Sequence, residues 1–417
     1  MTSAAGHGDE DPQDYPFVGA TALEPPAQWA GLREKCPVTW VRTPGGDETA
    51  LLTRYEDVRK LFADRRFRRN LAAEDTARLG DSEDGGLFYN PDPDGEGISD
   101  ADHDRNDRSD HTRWRAVLTR ALTGRRLDEL RPRIAAKADE LIDAMTARPG
   151  PADLISALAR PLPLWVICEA LAIPHQDQDQ ILRWSTVLLS LTRHTQSEMD
   201  QAGGDFYDYM IAHIASRRAT PGDDVISELT AIVDADDGRF NEPELASAGI
   251  GLLVAGHETT SQMIGKMTAM LLADRDRWRE LLADPGLVPT AVEEALRFDA
   301  NHGFALPRYL SADMEFGGTT LTRGCTVMAE IAAANRDGTV FPHPERMDLR
   351  RAPNPHLTFG YGPQVCVGRE FARNELRTVL TVLLKRLPTL ELAVPAQQLK
   401  RRSGILVGGL EELPVRW

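Results

Sequence analysis

The sequence predicts a mainly α fold with a small β region, and three observations carry that expectation. Apolar residues recur at helical spacing through most of the chain. One stretch, "PELASAGIGLLVAGHETTSQMIGKMTAMLLAD", reads as a single long helix, with Pro243 tolerated in its first turn. After Asn301 the texture changes to short strand-like runs separated by glycine turns, "MEFGGTTLTRGCTVMAEIAAAN".

The elements follow in order. Residues 1–14 are polar and acidic, with no apolar signal region, and are expected to be a disordered tail; residues 15–417 are expected to form one domain. "ETALLTR" reads as a strand and "YEDVRKLFAD" as the helix after it. From Glu74 to Asp110 thirteen Asp or Glu stand against three Arg, a net −10, and the interleaved Gly, Pro and Asn predict a long mobile loop. Such a loop is a solvated insertion or a lid. "HTRWRAVLTRALT", "RIAAKADELIDAMTA", "ADLISALARPLPLWVICEALAI" and "DQILRWSTVLLSLT" predict helices. "VPTAVEEALRF" follows the long helix, and helix resumes after Cys366.

Composition narrows the function classes. With 417 residues, 41% hydrophobic and 27% charged, the chain can bury a sizeable core. No uninterrupted apolar run of about eighteen residues occurs, so no membrane span is expected. Cys36, Cys168, Cys325 and Cys366 lie far apart without a CxxC pair, which argues against a disulfide framework or structural zinc and predicts a cytoplasmic protein. A net charge of −16 disfavours nucleic acid as a partner.

One cysteine stands apart. In "HLTFGYGPQVCVGREFARNEL" Cys366 precedes a helix, where unpaired N–H groups and the helix dipole favour thiolate over thiol. A bare cysteine is usually a small buried hydrophobe. Here Gly360, Gly362 and Gly368 leave room for a flat group against the sulfur, and Phe359 can shield it from water. The pattern is that of an open-sided metal ligand. In the long helix, Gly256 costs about 1 kcal/mol relative to Ala, and Glu258 carries a desolvation penalty. Close helix packing accounts for the glycines as well as function does, but accounts poorly for the Glu258–Thr259 pair.

"FGYGPQVCVG" resembles the haem-binding loop of the cytochrome P-450 family, FGxGxxxCxG, and the resemblance covers nearly the whole chain. It implies the cytochrome P-450 fold, with haem b (iron protoporphyrin IX) sandwiched between the long oxygen-activating helix and the cysteine-loop helix. It implies Cys366 as axial thiolate and metal ligand. The chain departs at Gln364, where the family often has a cationic residue reaching a haem propionate. Propionate binding would then lean on His111 and Arg115 in "HTRWR" and on Arg308 in "LPRYLSADMEFGG". "AGHETT" resembles the family's oxygen-activating segment, which implies Glu258 and Thr259 as an acid–alcohol proton relay, with Ala255 and Gly256 leaving room above the iron. Glu294, Arg297 and Arg351 resemble the family's buried ExxR trio and are read as structural.

The resemblance implies an enzyme that reductively activates dioxygen, with electrons from NAD(P)H through separate proteins, ferredoxin and ferredoxin reductase, since no flavin or dinucleotide motif occurs. The texture of "APNPHLTFGYGP" and "GILVGGLEELPVRW" is similar to actinomycete enzymes of secondary metabolism. Hydroxylation of a small, mainly apolar or aromatic natural product is expected. Oxidative carbon–carbon coupling of aromatic or diketopiperazine substrates is the alternative, and a non-catalytic haem sensor or carrier the distant one. Candidate pocket walls are Gly251, Leu252 and Ala255 on the long helix and His302, Phe304 and Ala305 beyond the ExxR helix. Leu406 in the terminal turn and Phe88 and Tyr89 in the acidic loop are further candidates. Of the five arginines in 111–126, Arg115 is assigned to a propionate; Arg113, Arg120, Arg125 and Arg126, with Arg369, Arg373 and Arg377, are expected to form a basic face for an acidic ferredoxin, unless neighbouring acids pair with them.

Overall fold

A computed structural model of the chain describes residues 11–35, 38–68, 76–80, 115–119, 122, 124–235 and 241–417. It follows that Phe88, Tyr89, His111, Arg113, Arg120 and Cys36 lie outside the described residues, as do the side chains of Arg125 and Gln364.

The N-terminal part supplies β1 (Gln13–Asp14), α1 (Gln28–Lys35), β2 (Thr39–Arg42), β3 (Glu48–Leu52), α2 (Tyr55–Ala63) and β4 (Phe67–Arg68). Gln13 and Asp14, expected within the tail, form a strand. β1 pairs in parallel with Val41 and Arg42, and the Tyr15 amide continues the pairing by donating to Arg42 O at 2.8 Å. Residues 76–80, placed by sequence in the mobile loop, dock instead on the sheet: Ala77 N donates to Thr326 Oγ1 at 3.0 Å, and Arg78 pairs with Asp47.

The helical layer follows as α3 (Gly124–Thr146), β5 (Ala152–Asp153), α4 (Pro161–Ala170), α5 (Gln178–Leu188), α6 (Gln196–Ala219), α7 (Val225–Asp234), α8 (Glu242–Ala273), α9 (Arg275–Ala283) and α10 (Val288–Phe298). The single helix expected over "ADLISALARPLPLWVICEALAI" is broken. Asp153 accepts from the amides of Ile155 and Leu413, a π-turn spans Ile155–Ala159, and α4 restarts at Pro161, whose missing N–H suits a first helical position. α6 is delimited at its start by a reciprocal Thr195–Glu198 capping box.

β6 (Leu306–Leu310), β7 (Met314–Phe316), β8 (Thr319–Leu321), β9 (Thr326–Ala329) and the single turn α11 (Ile331–Ala334) come next. α12 (Arg369–Arg386), β10 (Glu391–Leu392) and β11 (Pro414–Arg416) complete the chain. The main sheet runs β1-β2-β3-β9-β6-β4; β10-β11-β5 and the β7-β8 hairpin are separate. α8, begun by an Asn241–Glu244 capping box, threads the middle of the molecule against α4, α6, α7, α10 and α12. Its residues join two apolar clusters, one shared with α3, α10 and α12 and the other with α4, α6 and α7.

Most of its glycines serve that packing. A Cβ on Gly249 would come 2.8 Å from Met210 Sδ, and one on Gly256 would come 2.9 Å from Ile167 Cδ1. Gly256, expected to leave room above a bound group, therefore seats α4 against α8. Gly251 differs, because a Cβ there meets no protein atom within 4 Å.

Candidate active site

The cysteine loop is held from three sides before its chemistry is considered. Asn335 Oδ1 accepts from Leu357 N at 2.7 Å, Thr358 Oγ1 donates to Leu296 O at 2.9 Å, and Tyr55 OH donates to Pro355 O at 2.7 Å. Cys366 N donates to Phe359 O at 2.7 Å, closing the loop. Gly360 and Gly362 take φ of +74° and +66°, the left-handed region that glycine enters without strain. Gly368 caps α12, so Cys366 sits two residues before the cap, beside the N–H groups of the first turn.

Glu293 of α10 staples this loop from behind. Arg373 reaches its carboxylate from Nε at 2.9 Å and from its terminal nitrogen at 2.9 Å, and Arg377 at 3.1 Å. His356 Nε2 lies 3.1 Å from the same group. Burial raises the Glu293 carboxyl, but the bonds from His356 and Arg373 overcome that and bring it down to about 2. Arg373 also stacks over Phe359, 4.6 Å from the ring centre. These arginines are therefore engaged with acids rather than forming an open basic face, as Arg126 is with Asp223 and Glu228.

Cys366 is nonetheless exposed, although its neighbours on both sides are packed. Phe359 rests on the cluster containing Met263 and Ile264, and Val367 on the cluster containing Leu252 and Val254, so the loop spans the two apolar clusters that α8 joins. On α8 itself Ser247, Gly251, Ala255 and Thr259 are exposed at four-residue spacing, whereas the helix around them is buried. A line of exposed small residues inside a core, with a Cβ on Gly368 also meeting no protein atom, suits a broad flat apolar group laid between α8 and the cysteine loop.

Cations converge on the same place. Arg115 is half-buried and close enough to Cys366 to feel its charge; burial lowers its guanidinium and the sulfur raises it. Arg308 is buried on β6 with its guanidinium 5.3 Å from the Phe62 ring, and Phe62 O lies 3.4 Å from where a Gly362 Cβ would be. Arg308 and the loop are thus neighbours through α2. The sequence reading missed Arg68, buried on β4 opposite Tyr309, because "RRFRRN" looks like a surface run of charge.

Glu258 and Thr259, adjacent in sequence, point about 100° apart around the helix. Thr259 Oγ1 is exposed and donates to Ala255 O at 2.9 Å. Glu258 is buried, ion-paired with Arg402 and accepting from Gln262 Nε2 at 3.1 Å. His257 Nε2, Ser261 Oγ and Gln262 Oε1 have no hydrogen-bond partner around it, which leaves this pocket of polar atoms suited to water. Arg402 went unnoticed in sequence because "LKRRSG" resembles any surface basic run.

Among the wall candidates, Gly251 and Ala255 are exposed and His302 and Leu406 half-buried. Leu252, Phe304 and Ala305 are buried in apolar clusters and back the wall. Glu294 and Arg297 are fully buried and bidentate at 2.8 Å, with Arg351 on the same carboxylate at 3.0 Å and Asn354 at 3.1 Å. Arg297 also donates to the carbonyls of Asn335 and Pro344, tying α10 to the segment ahead of the loop.

Known proteins match this arrangement. The family described as Cytochrome P-450 matches residues 167–401. The chain is 40% identical over 420 residues to a mycinamicin IV hydroxylase/epoxidase of Micromonospora griseorubida, covering 100% of both chains. It is 40% identical over 411 residues to a nocardicin C N-oxygenase of Nocardia uniformis subsp. tsuyamanensis, covering 98% of this chain and 99% of that one. Among solved structures, the thioether synthase candidate SgvP superposes with TM-score 0.87 at 33% identity over 98% of this chain and 100% of that chain. The mixed-function P-450 MycG superposes with TM-score 0.83 at 39% identity over the same shares. Sequence match along the whole length and the same helical frame around a cysteine loop lead to one conclusion: the chain belongs to the cytochrome P-450 family, the haem-thiolate monooxygenases that take electrons from NAD(P)H through redox partners.

Proposed function

We propose that this enzyme hydroxylates a small, mainly apolar product of secondary metabolism, with Cys366 as the residue that would hold the haem iron through its thiolate and Thr259 and Glu258 handling protons. The observation that carries the reading is the exposed line of Gly251, Ala255 and Thr259 on an otherwise buried helix, together with an exposed cysteine at a helix N-terminus whose loop packs on the same two apolar clusters as that helix. When bound, haem b supplies reductive activation of dioxygen.

The chain's own residues then have distinct tasks. Cys366 Sγ would hold the iron, and the N–H groups and dipole of α12 favour its thiolate form. Arg115 and Arg308, with His111, hold the propionates, and the planar guanidinium fork suits a carboxylate. Phe359, pinned by Arg373, would shield one side of the sulfur once the group is bound. Thr259 Oγ1 would hold a proton for the bound group, and Glu258, after leaving Arg402 and taking up a proton from solvent, would pass it on to Thr259, directly or through water beside His257, Ser261 and Gln262. Gly251, Ala255, His302 and Leu406 shape the substrate wall; burial lowers the His302 imidazole to about 4, so it meets substrate as a neutral group.

The named activities of the two relatives are oxygen insertions, which favours hydroxylation over oxidative coupling and over a sensor. A ferredoxin served by its reductase is the proposed electron donor, docking beside the exposed Tyr361 and Arg369. Purified protein loaded with haem should give a reduced carbon monoxide complex absorbing at the position diagnostic of thiolate, and Cys366→Ser should lose it. Under labelled dioxygen the product should carry one labelled oxygen; unlabelled dimers would establish coupling, and failure to bind haem would overturn the assignment.

A further inference from the structure

Three buried groups from distant parts of the chain meet where the wall segment 302–305 enters β6. Tyr15 OH donates to Glu330 Oε2 at 2.7 Å and accepts from Ala305 N at 3.0 Å. The Tyr15 ring meets the Phe304 ring edge-on at 5.1 Å. All four residues are buried, so none of these bonds is exchanged with solvent in the fold. Glu330 is fixed in turn between β9 and α11, with its amide donating to Leu52 O at 2.9 Å.

The segment so held controls a second one. Phe304 N donates to Leu406 O at 2.9 Å and Gly408 N to His302 O at 3.1 Å. Gly303 bridges Val407, and a Cβ on Gly303 would come 2.3 Å from Leu406 O, so the two strands cross as closely as backbones allow. Moving Ala305 therefore moves His302 and Leu406, the half-buried wall residues.

We propose that Tyr15 and Glu330 are a positioning pair for the substrate wall, fixing segment 302–305 and, through it, Leu406. The proposal rests on the wall assignment of the preceding section. Neither residue touches substrate; each acts through the Ala305 amide and the Phe304 ring. The pair is also placed to respond to pH. Burial raises the Glu330 carboxyl to about 7, the Tyr15 bond lowering it in part and the charge of Asp299 raising it further. Asp299 is itself paired with Lys266 of α8 at 2.6 Å, His302 is neutral, and Arg33 of α1 reaches Ala333 O rather than the carboxylate.

The test uses the haem-loaded protein and two nitrogen ligands followed by their spectral shifts. Imidazole is small enough to report the centre alone; 4-phenylimidazole extends to the wall. Tyr15→Phe keeps the ring packing and removes the hydroxyl. It should weaken 4-phenylimidazole about tenfold, the effect of losing one hydrogen bond of ordinary net strength, and leave imidazole unchanged. Glu330→Gln should flatten the dependence of 4-phenylimidazole affinity on pH between about 6 and 8 that remains after the ligand's own ring protonation is divided out. Amide exchange in residues 300–308 should rise in Tyr15→Phe, a readout that needs no haem and keeps failure of the pair separate from failure of the haem assignment. The double variant should match Tyr15→Phe alone, since Glu330 acts on the wall only through the Tyr15 hydroxyl. Equal weakening of both ligands, unchanged exchange in 300–308, or additive effects would overturn the proposal.

Discussion

Replacing Glu293 with Gln removes one charge while keeping the side chain's size, and its consequence can be worked out. In the fold this carboxyl sits near 2, against about 4.5 unfolded. At about 1.36 kcal/mol per tenfold change in proton affinity this would be about 3 kcal/mol for a fully buried group, and solvent screening of this partly exposed carboxylate cuts it to about 1–2 kcal/mol at neutral pH. The sign follows from linkage. A carboxyl with a depressed native pKa stabilises fully above its unfolded value, and the contribution drains away as pH falls from about 4.5 towards 2. Glu293→Gln should therefore cost about 1–2 kcal/mol at pH 7 and progressively less below pH 4.5. With about 2.1 cal/mol/K of unfolding entropy per residue over 417 residues, the melting temperature should drop by ~1–2 °C. The variant should also loosen Phe359, because Arg373 loses the anchor that holds it over the ring. Denaturant titrations of wild type and variant at pH 7 and at pH 3.5 would measure the difference at each. A difference that stays constant across that range, or one below about 0.5 kcal/mol at pH 7, would refute the reasoning, because the carboxylate would then not be ionised by its partners.

Other outcomes follow from the same geometry. Thr259→Ala should retain haem and ligand binding but divert electrons to peroxide, measured as peroxide formed per NAD(P)H consumed; unchanged coupling would remove Thr259 from the relay. Glu294→Ala should cost about 3–5 kcal/mol, because it strands the buried guanidiniums of Arg297 and Arg351, and this can be measured by denaturant unfolding. Glu375 is buried with no hydrogen-bond partner on Oε2, and burial alone raises its carboxyl well above the usual range. Glu375→Met should therefore stabilise the protein by about 1–3 kcal/mol at pH 7, with the gain shrinking as pH falls towards the unfolded value. Arg373→Glu should perturb loop stability as well as ferredoxin reduction, since Arg373 faces Glu293; an effect confined to reduction at low salt would restore it to a docking role.

The sequence alone determined the features whose signal is local. Cys366 stands out because its glycines and Phe359 lie within ten residues, and a helix N-terminus acts on whatever precedes it. α8 was legible from its length and apolar content, and Glu294 and Arg297 from their i, i+3 spacing, which places them on one helix face in any fold. The tertiary structure decided what a single element cannot encode. Gly256 is a packing glycine only because Ile167 lies against it. Arg373 looked like a docking cation until α10 brought Glu293 beneath it. Arg402 meets Glu258 across 144 positions and Tyr15 meets Glu330 across 315, and such pairs leave no periodic trace in the chain. An arginine or a glutamate has the same letter whether solvated or buried. Only the burial and partner that folding supplies set its charge state and its task.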